Sequence, residues 1–254
     1  MNKQISTFND YSKIYDLVNA SKNYVAEVAV LQNLIDEYLP KKNGRYEMLE
    51  VGSGTGGHAK HLMRSYNLTC LEKSAEMAKI CKDKTGLEVV IGEAENFRIS
   101  NSFEIISAMF HVVNYLPDLK ALDQFLKNCH KHLKSSGIII FDTWHLPSVY
   151  AIGPSSRTIH NENSNFLVKR VSNSQHDLKR NQVIVTFEFE LLDKSNNIRS
   201  QFTEVHHMRP WSYSEIAFFA EQNDLQIIAT PNLDKSISDP VAAWDTTFLL
   251  GKKK

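Results

Sequence analysis

The stretch Tyr46–Leu62 constrains the fold more than any other part of this 254-residue chain. It reads YEMLEVGSGTGGHAKHL, which is a short apolar run of strand length, then four glycines within six positions, then a helix-compatible segment over 58–64. A strand that runs through a glycine-rich turn into a helix is the first unit of a nucleotide-binding α/β fold. Glycine permits positive φ and a close approach of the backbone to a ligand. The loop N–H groups and the helix N-terminus are therefore expected to face that ligand.

The charge beside the turn indicates which ligand this is. Glu50 stands two positions before the first glycine, Gly52. A carboxylate at this point would repel the pyrophosphate of a dinucleotide. It suits a cationic ligand, such as the amino group or the sulfonium of S-adenosylmethionine (SAM). The glycines alone leave the alternative open, because Gly52, Gly54 and Gly57 also satisfy the dinucleotide pattern GxGxxG.

Composition excludes several other classes of protein. The formal net charge is zero, so no basic field would attract nucleic acid. The N-terminal segment MNKQISTFND is polar, and no apolar run reaches the length of a membrane span. The three cysteines, Cys70, Cys81 and Cys129, lie far apart and lack metal-ligand spacing. We expect a cytoplasmic, reduced protein with no metal and no membrane partner.

Polar side chains recur at the ends of the predicted strands. Strands are predicted over 67–71, 87–91, 103–108 and 137–141, with a helix over 118–133 between the last two. In doubly wound sheets, ligands bind beyond the carboxyl ends of the strands. Five candidate side chains fall at such ends: Glu50, Glu72, Glu93, His111 and His145. Glu72 follows Gly52 by 20 residues, which is the position where a carboxylate accepts hydrogen bonds from ribose hydroxyls.

The hydrophobic pattern changes between the fifth strand and the C-terminus. Residues 183–191 alternate as a half-buried antiparallel strand, with a turn over 193–197 and a return strand over 202–208, and residues 166–171 are compatible with a third strand. A helix over 214–222 and strands over 225–229 and 246–250 complete the parent sheet. The predicted fold class is α/β: a doubly wound, seven-stranded Rossmann-like sheet with a small antiparallel β-sheet inserted over the cleft. The predicted domains are a helical cap (1–40), the Rossmann-like core (41–150), the antiparallel insertion (151–210) and the C-terminal helix and strands (211–254).

These segments together resemble a class I SAM-dependent methyltransferase. The resemblance is carried, in order, by LEVGSGTGGH, CLEKSAEM, IGEAENF and SAMFHVVNYL. The N-terminal YDL and KNYVAE, the antiparallel insertion and the HHMR segment at 206–209 are similar to two narrower groups. One group is the dTDP-amino-sugar N,N-dimethyltransferases, and the other is a set of methyltransferases associated with bacterial surface polysaccharides. The resemblance departs at His111 and at Trp144–Pro147, where substrate should bind.

The resemblance implies a set of site residues. Its cofactor pocket would be built from Tyr24, Glu50, Gly52, Gly54, His58, Glu72, Lys73, Met77, Glu93, Ala94 and Met109. An N-terminal tyrosine, here Tyr15, would lie over the transferred methyl group and the acceptor. Methyl transfer requires in-line positioning and, for a hydroxyl acceptor, a general base. His111 is the candidate base, with His145 and His206 behind it, because the imidazole titrates near neutral pH.

We therefore expect a SAM-dependent methyltransferase that acts on an amine or a hydroxyl of a small molecule, such as a nucleotide-linked sugar. The sequence is compatible with a homodimer. Three alternatives remain open: an O-methyltransferase of another small metabolite, an NAD(P)-dependent oxidoreductase, and a catalytically silent SAM-binding protein.

Overall fold

The computed structural model describes residues 9–153, 155–195, 197–231 and 243–253. The chain divides into two compact units. The first, the insertion unit, comprises Met1–Asn23 with Pro154–Met208. The second, the core unit, comprises Tyr24–Gly153 with Arg209–Lys254. The N-terminal region, predicted as a helical cap over 1–40, contains two helices, α1 (Asn9–Val18) and α2 (Tyr24–Tyr38), which belong to different units.

The core unit is built on a seven-stranded sheet. Its strands are β1 (Glu47–Val51), β2 (Asn67–Glu72), β3 (Val89–Ile91), β4 (Phe103–Ala108), β5 (Leu133–Trp144), β10 (Leu225–Ala229) and β11 (Asp245–Lys252). They lie in the order β10-β11-β5-β4-β1-β2-β3. The pairs among β1 to β5 are parallel, whereas β11 runs antiparallel to both β5 and β10. The first residue of β11 therefore lies beside the last residues of β5, with Asp245 paired to Trp144.

Helices cover both faces of this sheet because apolar side chains alternate along its central strands. Met48 and Ile105 pack with Leu31 and Ile35 of α2 on one face. The residue that follows each of these two in its strand packs on the other face of the sheet. There it contacts two later helices, α5 (Leu119–His132) and α7 (Tyr213–Gln222). The remaining α-helices are α3 (Ala59–Leu62), α4 (Ala75–Thr85) and α6 (Leu146–Ile152) in the part of the chain that the structure describes. Strands buried on both faces are typical of parallel sheets.

The insertion unit is a four-stranded antiparallel sheet joined by α1. Its strands are β6 (Arg157–Glu162), β7 (Phe166–Asp177), β8 (Gln182–Asp193) and β9 (Ile198–Met208), in that order. Tyr11 and Ile14 of α1 are buried with Val168 and Phe189 of the sheet. The N–H of Tyr11 donates to Glu204 Oε1 at 3.3 Å, which fixes the helix to β9.

The predicted fold class is confirmed: a seven-stranded mixed sheet carries a separate antiparallel sheet inserted after the fifth strand. Strand β6 and helix α6 were not predicted. Among the described residues, no helix is long and apolar enough to cross a membrane.

Candidate active site

A cavity of about 680 Å³ opens in the core unit at the carboxyl ends of β1, β4 and β5 and the amino end of β11. Four carboxylates contribute to its wall: Glu27, Glu50, Asp142 and Asp245. His58, Met109, Phe110 and Trp244 line it as well. No lysine or arginine occurs among the described lining residues. The cavity wall is therefore acidic and partly aromatic.

Glu50 is buried at the base of this cavity, with 6% of its surface exposed. Burial raises the pKa of Glu50 to about 8, and the neighbouring Cys81 adds to the shift. The thiol of Cys70 lies 3.9 Å from Glu50 Oε2 and donates to it. A carboxyl group in this state is neutral at neutral pH until a cation approaches and favours its ionised form. The position suits a positively charged ligand.

The backbone of the glycine turn is held by the protein itself. The N–H groups of Gly52 and Ser53 both donate to Leu71 O, and that of Gly56 donates to Ser53 O. The N–H of Gly54 donates to Glu72 Oε2 at 2.8 Å. The expectation that the loop N–H groups face the ligand is therefore wrong for these four. Because these N–H groups already donate hydrogen bonds within the protein, they are not available to bind a pyrophosphate. The predicted helical segment over 58–64 also shortens to the four residues of α3.

The Glu72 side chain hydrogen-bonds to the backbone of the glycine turn, in addition to any contact with a ligand. Its second oxygen, Oε1, accepts the N–H of Ser74 at 2.9 Å. Burial raises the pKa of Glu72, while the N–H donors of Ser74 and Gly54 oppose the shift. Each carboxylate oxygen retains a second lone pair, so the side chain can still accept a ribose hydroxyl. Ser74 also caps α4, because its hydroxyl accepts the N–H of Met77 at 3.3 Å.

His58 connects the glycine turn to the cavity. Its Nε2 lies 2.9 Å from Glu27 Oε2. The Phe110 ring stacks on the imidazole at 4.3 Å, and the Tyr24 ring meets it edge-on at 4.8 Å. A Cβ on Gly57 would come within 2.5 Å of the Tyr24 ring, so this glycine is what permits the approach. Glu27, which sequence reasoning did not name, thereby joins the site.

The other predicted cofactor residues lie outside the cavity wall. Lys73 pairs with Glu93 at 2.9 Å near the surface. Met77 is buried, and Ala94 packs on the edge of the main core cluster. Gly52, Gly54 and Glu72 form the turn described above. Of the predicted cofactor set, the cavity brings together Glu50, His58 and Met109.

The three histidines considered as bases have different surroundings. Nδ1 of His111 lies 3.4 Å from Asp142 Oδ2 and 3.6 Å from Asp245 Oδ1, beside the cavity. Nδ1 of His145 lies 2.9 Å from Ser148 Oγ, and burial lowers the pKa of His145. His206 belongs to the insertion unit, where it is buried with its Nε2 3.3 Å from Glu204 Oε2.

Tyr15 also belongs to the insertion unit. It is half-buried, and its ring lies 5.1 Å from that of Tyr11. Its role over the methyl group remains a prediction from the resemblance.

Comparisons with known proteins identify similar methyltransferases. Residues 49–141 match a methyltransferase domain family. The chain is 26% identical, over 78% of its length and 82% of the relative, to the dTDP-3-amino-3,4,6-trideoxy-alpha-D-glucopyranose N,N-dimethyltransferase of Streptomyces venezuelae. It is 28% identical, over 70% and 71%, to the dTDP-3-amino-3,6-dideoxy-alpha-D-glucopyranose N,N-dimethyltransferase of Streptomyces fradiae.

Solved structures show the same fold. DesVI from Streptomyces venezuelae superposes with a TM-score of 0.82 at 21% identity, over 96% of this chain and 99% of that one. CalS10, an amino pentose methyltransferase from Micromonospora echinaspora solved with SAM bound, gives 0.78 at 18% identity over 99% and 100%. The predicted class is confirmed: the chain carries a methyltransferase domain and is a SAM-dependent methyltransferase. It is similar in sequence to a relative named for a dTDP-amino sugar and in fold to an amino pentose methyltransferase.

Proposed function

We propose that the protein transfers a methyl group from SAM to the amino group of a small molecule, namely a sugar carried on a nucleotide. The acidic cavity is the observation that carries this proposal. Glu27, Glu50, Asp142 and Asp245 line it, with no lysine or arginine among the described lining residues. Both reactants of an amine methylation are cationic in water, since the donor is a sulfonium and the acceptor an ammonium. An acidic wall favours both.

The same wall favours an amine over a hydroxyl acceptor. An amine must shed only its ammonium proton before attack, and a carboxylate or an imidazole can take that proton. A sugar hydroxyl is a far weaker acid than an ammonium, so these groups would deprotonate it much less readily. The relatives named for dTDP-amino sugars support an amino sugar as the acceptor.

The residues of the cavity would then divide between donor and acceptor. Glu50 and the pair His58–Glu27 would hold the charged amino-acid end of SAM, because they lie beside the glycine turn. Glu72 would grip the ribose while holding Gly54 in place. SAM supplies an already activated methyl group, so the protein chiefly holds the acceptor in line and excludes water. Tyr15 keeps the role at the acceptor that the resemblance implies.

Mass spectrometry tests the proposal directly. The purified protein is incubated with SAM and a panel of dTDP- and UDP-linked hexoses that carry an amino group or a hydroxyl at the same ring carbon. We expect one or two added methyl groups on an amino sugar and none on its hydroxyl counterpart. Methylation of hydroxyl sugars alone would overturn the proposal, as would the absence of transfer to every amine.

A further inference from the structure

Two aspartates meet at one side of the cavity although they are far apart in sequence. Asp142 lies near the end of β5, and Asp245 is the first residue of β11. The antiparallel register pairs Asp245 with Trp144 and Asp142 with Thr247, so the two aspartates lie diagonally across neighbouring strands. Both line the cavity. Asp142 is buried, whereas the Asp245 side chain is 51% exposed.

An imidazole stands between these carboxylates and is not saturated by them. His111 Nδ1 lies 3.4 Å from Asp142 Oδ2 and 3.6 Å from Asp245 Oδ1. This nitrogen is buried and makes no hydrogen bond to the residues that the structure describes. Even with the imidazole protonated, the two carboxylates and the histidine together would carry a net charge of about −1. The cluster can therefore accept a further cation.

The backbone holds this cluster in a costly conformation. Phe110 and His111 have φ of 67° and 62°, the left-handed region that residues with a side chain rarely adopt. The His111 N–H donates to Asp142 Oδ1 at 2.9 Å, which fixes the histidine in this conformation. Backbone strain of this kind concentrates at functional sites.

Aromatic rings complete the wall around the carboxylates. Trp244 lines the cavity, and its ring lies 5.6 Å from that of Trp144. Trp144 in turn lies 5.9 Å from the imidazole of His111. Indole faces attract ammonium groups, with carboxylates supplying the opposite charge. Two carboxylates and an indole thus line the cavity, beside an imidazole whose Nδ1 makes no hydrogen bond to the described residues.

We propose that Asp142 and Asp245, with His111 between them, bind the amino group of the acceptor and take up its proton. This inference rests on the proposed function and assigns the part of the cavity that the acceptor occupies. The ammonium gives one proton to the cluster, and the freed nitrogen lone pair forms a bond to the methyl carbon. The carbon–sulfur bond breaks with its electron pair left on sulfur. The cluster releases the first proton to solvent through the exposed Asp245, and the methylated ammonium then loses its next proton to the same groups.

The variants D142N and D245N test the inference, each measured with the amino sugar that the wild type methylates best. The amide introduced by D142N keeps an oxygen for the His111 N–H, so the backbone conformation is preserved. D83N is the matched control, because Asp83 is exposed on α4 away from the cavity. We expect KM for the amino sugar to rise by at least about tenfold in D142N and D245N. SAM affinity should stay within about twofold of the wild type.

A second measurement separates recognition of the amine from general damage. The hydroxyl counterpart of the same sugar serves as a competitive inhibitor, and its inhibition constant is compared with KM for the amine. The preference for the amine should shrink in both variants and persist in D83N. An unchanged KM and preference in D142N and D245N would overturn this inference while leaving the proposed function intact. A wild-type protein that methylates no amine would instead overturn the proposed function.

Discussion

Glu72 accepts the N–H of Gly54, with 2.8 Å between Gly54 N and Glu72 Oε2. The carboxylate predicted to bind ribose is thus also the group that shapes the glycine turn. Its other oxygen accepts the N–H of Ser74, the N-cap residue of α4. One side chain therefore links the turn after β1 to the helix after β2.

Replacement of Glu72 by alanine should abolish or greatly weaken SAM binding. The change removes two hydrogen bonds that the carboxylate accepts from half-buried N–H groups, which should lower the free energy of unfolding by about 2–4 kcal/mol. Calorimetry with SAM and urea unfolding measure the two effects. Glu88→Ala is the control, since Glu88 forms a surface ion pair with Lys82. Normal SAM affinity in Glu72→Ala would remove the ribose assignment.

Substitution of His111 should spare SAM binding and slow turnover. Asparagine is the informative replacement, because it tolerates positive φ and keeps the N–H that donates to Asp142. Loss of a positioned base lowers kcat by about 10²–10⁴-fold. The measurements are kcat at saturating SAM and amino sugar, and SAM affinity by calorimetry. Turnover equal to that of the wild type would make His111 a structural residue.

Ionisation of Glu50 should make stability depend on pH. The folded state holds a proton on Glu50 up to a pKa of about 8, whereas the unfolded state loses it near the ordinary value of 4.5. The free energy of unfolding should therefore fall as pH rises through this window, by roughly 1.4 kcal/mol per pH unit at most. Urea unfolding of the wild type and Glu50→Gln measures the effect. The variant should lose this dependence, and an identical slope in both proteins would contradict the assignment.

Binding of SAM should respond to pH in the opposite sense. A cationic ligand favours the ionised form of Glu50, so binding releases a proton below a pH of about 8. SAM affinity should rise as pH increases toward that value. Calorimetry in two buffers of different ionisation enthalpy detects the released proton. Heats that do not depend on the buffer would show that Glu50 keeps its proton.

Gly57→Ala should weaken SAM binding without unfolding the protein. The new Cβ would lie 2.5 Å from the Tyr24 ring, which must then leave its contact with His58. We expect affinity to fall by about tenfold, as measured by calorimetry. Gly251→Ala is the control, because the one close approach of its Cβ among the described residues is to the tip of Ile228, a side chain that is 44% exposed. Equal SAM affinities in the two variants would show that Tyr24 does not contribute to SAM binding.

Tyr15→Phe should lower kcat and leave SAM affinity unchanged, if the tyrosine contacts the acceptor as the resemblance implies. The phenol can hydrogen-bond to the acceptor, and the remaining ring still packs beside Tyr11. Radiometric turnover assays and calorimetry give the two values. Tyr150→Phe serves as control, since Tyr150 is exposed on α6 in the core unit. A normal kcat would exclude a role for the hydroxyl.

The sequence predicted the sheet well because its signals are local. Strands β4 and β10 agree with their predicted bounds, since apolar runs bounded by polar residues determine them. Strand β6 was missed because RTIHNE has little apolar alternation and forms only by pairing with β7. The sequence predicted helix in the N-terminal region but not its division into α1 and α2, because both carry helical patterns and packing in separate units is not a local property.

The site was predicted less completely for a topological reason. Glu50 was predicted as a site residue because of its spacing from the glycines of the turn. Asp142 could have been predicted, because it lies near the carboxyl end of a parallel strand, where ligands bind. Asp245 could not, because it begins a strand. Only the antiparallel direction of β11 places that beginning at the edge of the sheet where ligands bind. Glu27 lies on a helix that precedes the sheet, so its contact with His58 cannot be read from spacing.

The contact between Tyr11 and Glu204 spans 193 residues. During synthesis the first helix leaves the ribosome long before its partner strand exists, so it must wait with its apolar face unburied until β9 has been made. Folding of the insertion unit is consequently a late, non-local closure. Chaperone dependence and sensitivity to N-terminal fusion should therefore concentrate in α1.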